Sequence, residues 1–249
     1  VKPYYRDDAV TIYHGDCRDV LPALEPQSVT LLWTDPPYGH SNHEGDLNAR
    51  LNEHRGIEGQ PIANDDPDSM RAVVDAALTL SLQALRDDCC CCCCCCCGGG
   101  GPRPTFAWLA QRMDAGGLEF FHSVIWDKVN PGLGWRYRRQ HEMVMVAHKA
   151  GGKLSWSDAV KATPNLIRQS PPRHREHPNE KPLDLVKGFI QNHALPGDVV
   201  LDPFMGSGTT LRAAKDLGRR AIGIDLEEVH CQTAVARVSQ DVLDLGAAA

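Results

Sequence analysis

Short runs of apolar and β-branched residues recur along this chain, each separated from the next by a stretch of helical period. The runs are Val10 to Tyr13, Val29 to Thr34, Val124 to Trp126, Met143 to Ala147, Val199 to Leu201 and Ala221 to Ile224. Between them, Met70, Val73, Val74, Ala77, Leu78, Leu82 and Leu85 return at helical spacing, with Asp66 placed as an N-cap and Pro67 at the first helical position. A second helix is expected from about Pro182, burying Leu185, Val186, Phe189 and Ile190. A third is expected from about Glu227, with Ala234, Val235 and Val238 inward. Such alternation leaves few architectures open, because parallel strands need long crossovers and helices both supply them and cover the sheet. The expected fold class is α/β, a mainly parallel sheet with helices on both faces. At 249 residues and 42% hydrophobic content one good core can form, so residues 1–249 are read as a single domain.

One segment departs from the ordinary pattern. Cys89 to Cys97 are nine consecutive cysteines, all but Cys17 and Cys231 of the eleven, and four glycines follow, Gly98 to Gly101. A disulfide framework is disfavoured, since neighbouring cysteines point to opposite faces of an extended chain. No metal is expected either, because structural zinc sites space their ligands by two to four residues and draw them from separated segments. Reduced cysteine behaves as a small hydrophobe. The run therefore predicts a buried parallel strand of about six to eight residues beside the Val29 to Thr34 strand, with the glycines looping from its carboxyl end.

No run of eighteen apolar residues exists, and Val1-Lys2-Pro3-Tyr4-Tyr5 lacks a secretory core, so the expected protein is soluble, cytoplasmic and without a membrane partner. The formal charge of −6 excludes a global cationic field. Nucleic acid would have to be held by local patches. Arg136, Arg138 and Arg139 interleave with Trp135 and Tyr137, while Arg168, Arg173, His174, Arg175, His177 and Lys181 crowd a second segment. Basic groups neutralise phosphates and aromatics stack on bases. A solvated charged surface is the alternative for each.

Chemistry in such sheets collects beyond the carboxyl ends of the strands. At the first of two informative ends, Leu31-Leu32-Trp33-Thr34 runs into Asp35-Pro36-Pro37-Tyr38. Paired prolines stiffen the turn and display the Asp35 carboxylate, the Pro36 carbonyl and the Tyr38 ring with little freedom. That display suits a planar amine, whose two hydrogens match two acceptors and whose conjugated lone pair needs them to become nucleophilic. Tyr38 would stack on the attached ring. At the second end, Val199-Val200-Leu201-Asp202 leads through Pro203-Phe204-Met205 to Gly206-Ser207-Gly208-Thr209, where glycines let a ligand approach the backbone before a helix starts. Asp225 ends the next strand, where an acid can accept from both hydroxyls of a ribose. The loop lacks the Gly-Lys-Thr of a phosphate-gripping loop, so a sulfonium nucleoside suits it better than a triphosphate.

These two motifs, in this order, resemble the beta-class amino-methyltransferases of DNA. Further matches are Gly15-Asp16-Cys17, Trp126-Asp127-Lys128-Val129-Asn130-Pro131, His141-Glu142 and His177-Pro178-Asn179-Glu180-Lys181-Pro182, so the resemblance covers almost the whole chain. It implies a Rossmann-like seven-stranded sheet with one antiparallel strand, permuted so that the catalytic motif precedes the cofactor motif. It also implies S-adenosylmethionine as donor and double-stranded DNA as partner, with the target base flipped out. Adenine N6 is the implied target, because an acid opens the catalytic motif, and cytosine N4 is the alternative. Carried over by residue, Asp35, Pro36, Pro37 and Tyr38 are catalytic. Asp16, Cys17, Asp35, Lys181, Asp202, Phe204, Gly206, Ser207, Gly208, Thr209 and Asp225 line the cofactor. Asp16 faces its adenine, Asp225 its ribose, and Lys181 its carboxylate. Arg136, Arg138, Arg139, Arg168, Arg173 and Arg175 would contact DNA. Two variable stretches, about 40–64 and 148–178, read as substrate loops. They are short, which leaves three alternatives open: a short recognition site, weak specificity, or a second subunit as in a homodimer. Methylation of RNA or of a protein glutamine, and a catalytically idle binding module, are the rival functions.

Overall fold

The computed structural model describes residues 1–39, 63–96, 105–132, 138–172 and 180–240. Among these residues ten strands form the sheet: β1 (Tyr5–Arg6), β2 (Val10–His14), β3 (Val29–Thr34), β4 (Leu85–Cys96), β5 (Leu118–Asp127), β6 (His141–Lys149), β7 (Lys153–Leu154), β8 (Leu166–Arg168), β9 (Val199–Asp202) and β10 (Arg220–Asp225). Their order is β1-β2-β10-β9-β3-β4-β6-β5-β8, with β7 paired to β4. The stretch from β2 through β10, β9 and β3 to β4 is parallel, and β6 runs antiparallel to both β4 and β5. The expected count of seven strands is therefore exceeded, because β1, β7 and β8 add strands of two or three residues.

Among the described residues six α-helices accompany the sheet, α1 (Cys17–Val20), α2 (Pro67–Ser81), α3 (Thr105–Ala115), α4 (Leu183–His193), α5 (Thr209–Asp216) and α6 (Glu228–Val238), with one 3-10 turn at Leu21–Ala23. The start of α2 follows from its sequence. Asp66 accepts hydrogen bonds from the Asp68 and Ser69 amides at 3.2 and 3.0 Å, and Pro67 opens the helix, a cap that contributes about 1 kcal/mol. The end of α2 differs from the helical reading, which carried it through Leu85. The helix stops at Ser81, and Leu85 pairs with Val29 as the first residue of β4. Leu85 is fully buried there, so strand pairing outweighs helical spacing. None of the described helices is long and apolar enough to cross a membrane.

Cys89 to Cys96 lie in β4, parallel to β3 in the register Leu31↔Cys90 to Thr34↔Cys93, and Cys97 lies outside the described residues. Cys89 to Cys94 are at most 1% exposed. Alternation divides them between two cores: Cys89, Cys91 and Cys93 join α2 and α3 residues, while Cys90, Cys92 and Cys94 join α4 residues. The strand is twelve residues long rather than six to eight, because Leu85 and Asp88 also pair, with β3 and β7. The glycines that follow lie outside the described residues, as does most of the 40–64 stretch. The described part of 148–178 adds β7 and β8 to the sheet.

Helix α4 brings Leu185, Val186, Phe189 and Ile190 inward, each burial contributing roughly 2 kcal/mol. Phe189 lies 4.8 Å from the Trp33 ring, which fixes α4 against the centre of the sheet.

Candidate active site

Three neighbouring strands end in acids. Sheet register places β10 beside β9 and β9 beside β3, through pairs such as Gly223↔Asp202 and Leu32↔Leu201. Asp225, Asp202 and Asp35 therefore stand along one carboxyl edge. A cleft of about 630 Å³ lined by Arg6, Arg86, Asp198 and Arg220 lies at the opposite, amino edge, away from these acids.

Asp35 is enclosed by side chains from distant parts of the chain. The Tyr38 hydroxyl donates to its Oδ1, and Lys181 Nζ donates to its Oδ2 at 2.5 Å and to the Tyr38 oxygen at 2.9 Å. Lys181 also lies 3.3 Å from Glu142 Oε2, and Lys128 pairs with Glu142 Oε1. Lys181, Tyr38 and Glu142 are all buried. Burial alone would push the Lys181 ammonium down, but the Asp35 and Glu142 carboxylates reverse this and hold it above the ordinary lysine value. Burial would likewise raise Glu142, yet Lys181 and Lys128 keep it below the usual carboxylate range. The group thus alternates in charge as Asp35, Lys181, Glu142, Lys128. The sequence reading points Lys181 at a cofactor carboxylate, whereas here its ammonium serves Asp35, Tyr38 and Glu142. Lys128 falls within a matched motif but is given no role by it, since nothing local marks a lysine that pairs across strands.

The glycine loop after β9 is built from the backbone. Met205 N–H donates to Ile224 O at 3.1 Å, and Gly206 N–H donates to Asp225 Oδ2 at 2.9 Å. Asp225 Oδ1 accepts from the Glu227 amide at 2.9 Å and lies 3.0 Å from His230 Nδ1. Gly206 has φ +50°, and a Cβ there would meet nothing within 4 Å, so its backbone borders open space. Gly208 is needed for packing, because at φ +81° its Cβ would lie 2.7 Å from Ala234 Cβ. Ser207 and Thr209 are buried, and Thr209 Oγ1 accepts from Arg237 at 2.6 Å. Phe204 is half-buried, and its amide donates to Asp202 at 3.1 Å. Burial pushes Asp202 up to about 7, with the Phe204 amide and Thr210 hydroxyl opposing and Asp35 and Asp225 adding to the rise. Asp16 caps α1 and accepts from Arg18 Nε at 2.9 Å, while Cys17 is buried behind it with its thiol pushed to about 12 by burial and by Asp16.

A positively charged nucleoside fits this edge. Open backbone at Gly206, an anchored acid at Asp225 and a run of three carboxylates suit a sulfonium with a ribose. Of the basic residues expected to meet DNA, Arg138 and Arg139 are exposed, Arg138 donates to Gly132 O at 2.8 Å, and Arg168 lies 3.5 Å from Asp127. Arg136, Arg173 and Arg175 lie outside the described residues.

Known proteins resemble this chain in sequence and in fold. The profile of a DNA methylase family, N6 and N4 methyltransferases, matches residues 29–236. The Type II methyltransferase M2.DpnII of Streptococcus pneumoniae is 26% identical, over 96% of this chain and 93% of its own. The Type II methyltransferase M.HinfI of Haemophilus influenzae is 25% identical, over 96% and 71%. Among solved structures, the M1.HpyAVI–SAM complex aligns with a TM-score of 0.63 and 27% identity, covering 92% of this chain and all of the other. The cytosine-N4-specific PvuII DNA methyltransferase shares the fold at a TM-score of 0.70 and 20% identity, over 97% and 90%.

Proposed function

The chain belongs to the DNA methylase family, a methyltransferase that uses S-adenosylmethionine on DNA, and from that premise we propose that it methylates adenine N6 of a base turned out of double-stranded DNA. The observation that carries this reading is Asp35, a carboxylate at the end of a buried strand, adjoining the glycine loop of the neighbouring strand. Phe204, Gly206, Gly208 and Asp225 would hold the cofactor, which supplies an electrophilic methyl group when bound.

The protein's own residues prepare the amine. Both Asp35 oxygens are engaged, Oδ1 by the Tyr38 hydroxyl and Oδ2 by Lys181. An incoming amine would replace the Tyr38 hydroxyl as the hydrogen-bond donor to Oδ1 and donate a second hydrogen bond to the Pro36 carbonyl. Release frees the Tyr38 ring to stack on the base. Two acceptors draw the nitrogen from planar toward tetrahedral, which localises its lone pair for attack on the methyl carbon. With the sulfonium bound, the N–C bond would form as the sulfur–methyl bond breaks and a neutral thioether leaves; Asp35, held in place by Lys181, is the acceptor for the proton the nitrogen then loses. Arg138, Arg139 and Arg168 on the surface supply phosphate contacts.

Adenine rather than cytosine rests on the acid at position 35, the choice that the resemblance associates with N6 transfer. Incubating the protein with DNA and tritiated S-adenosylmethionine, then digesting to nucleosides, should yield N6-methyladenine. Label in N4-methylcytosine alone would reverse the assignment, and label only in RNA or protein substrates would replace the function.

A further inference from the structure

We propose that Cys90, Cys92 and His193 form a buried binding site for a thiophilic closed-shell cation, with zinc(II) as the charge-neutral occupant and copper(I) the same chemistry in another ion. The site lies on the face of β4 that meets α4. Strand alternation sends residues two apart to the same side, and it brings the Cys90 and Cys92 sulfurs to 3.3 Å. His193, the last residue of α4, comes from a remote part of the chain. One ligand atom from each of the three lies within 4.8 Å of the others.

The imidazole is held as metal-binding imidazoles are held. Its Nδ1 lies 2.7 Å from the Ser155 carbonyl, to which it can only donate, so the lone pair resides on Nε2. Trp156 packs edge-on at 5.1 Å and fixes the ring plane. Zinc–sulfur bonds of about 2.3 Å would set the two sulfurs roughly 4 Å apart in a three-coordinate site, a small side-chain rotation from the observed spacing. Thiolate with imidazole selects zinc or copper(I) over magnesium or calcium. Both cysteines are fully buried among Trp33, Phe189 and Ile190. In that setting two thiolates and one divalent cation cancel, which removes the cost of a buried net charge. Binding releases the two thiol protons to solvent as two metal–sulfur bonds form.

The cysteine run alone argues against a metal, since its ligands are too crowded and come from one segment. Alternation thins the run to one face, and His193 supplies the separated segment. An ion here ties β4 to the carboxyl end of α4, whose opposite end follows directly on Lys181.

The test measures metal by mass spectrometry in the full-length protein from zinc-supplemented and from copper-supplemented cells. The expected result is one equivalent of one ion, retained on dialysis. His193→Gln keeps every cysteine and should lose the metal, whereas Cys91→Ser, on the opposite face, should keep it. X-ray absorption at the metal edge of the unsubstituted protein should show both sulfur and nitrogen neighbours, which decides the matter even if His193→Gln fails to fold. Absence of stoichiometric metal from both preparations, an all-sulfur shell, or full retention in folded His193→Gln would overturn the proposal. Which preparation holds the ion identifies zinc or copper.

Discussion

The ends of β3 and β9 lie side by side but are built by different means. At β9 the glycine loop is organised within one strand–helix–strand unit by its own amides, Met205 donating to the Ile224 carbonyl and Gly206 to the Asp225 carboxylate. At β3 the Asp35 carboxylate is held by Tyr38 nearby and by Lys181, with Glu142 and Lys128 behind it, side chains from widely separated segments. A backbone-built site is fixed as soon as its local unit folds, and it tolerates change in most side chains. A site built from buried charges depends on every member, because removing one leaves its partners uncompensated.

Four substitutions sharpen that contrast. Asp35→Ala should lower methyl transfer at saturating cofactor and DNA by about 10³-fold or more, while calorimetry finds cofactor affinity unchanged within about twofold. Undiminished turnover would remove Asp35 from the mechanism. Asp202, raised to about 7 by burial, binds its proton more tightly folded than unfolded, so unfolding releases that proton between about pH 4 and 7. Stability of the cofactor-free protein should therefore fall as pH rises across that window, by about 4 kcal/mol at most. Asp202→Asn should flatten the profile, and denaturant titrations with an identical slope in the variant would refute this role. Lys181→Gln should cost about 3 kcal/mol by leaving Asp35 and Glu142 short of a cation, with cofactor affinity preserved. A large loss of affinity instead would restore the placement of Lys181 against the cofactor's carboxylate. Asp225→Ala should weaken cofactor binding by about 2 kcal/mol, with turnover at saturation nearly intact, and equal affinity in the two proteins would count against the ribose contact.

The same contrast explains what was legible in the sequence. Asp66 and Pro67 announce α2 because caps are local, and Val29 to Thr34 announces β3 because a doubly covered strand is a continuous apolar run. The cysteine run reads as a strand for the same reason, and buried Cys89 to Cys94 occupy that position. Leu85 misleads, since its helical spacing from Leu78 and Leu82 is real while its strand partner, Val29, lies far away in the chain. Strands β7 and β8 carry no period at two and three residues. Lys181 could be picked out as a functional residue from its segment, but its pairing with Asp35, Tyr38 and Glu142 could not. Glu142 and Lys128 are joined to it only through sheet register and the seating of α4. His193 gives no signal at all, as a histidine ending an amphipathic helix is ordinarily part of the core or the surface.

The adjacency of β3 and β9 also bears on the order in which this molecule acquires its shape. Their register pairs Leu31 with Val200 and Leu32 with Leu201, residues separated by most of the chain. Closing so long a loop is entropically costly and is not rewarded until the parallel strands meet, so contacts of this kind slow folding. The strand–helix–strand unit of β9, α5 and β10 closes over a short stretch and can form early. During synthesis β3 leaves the ribosome long before β9, and its exposed hydrogen-bonding edge must wait for a neighbour that lies far downstream. The carboxyl edge that carries Asp35, Asp202 and Asp225 is thus completed only once β9 and β10 have followed.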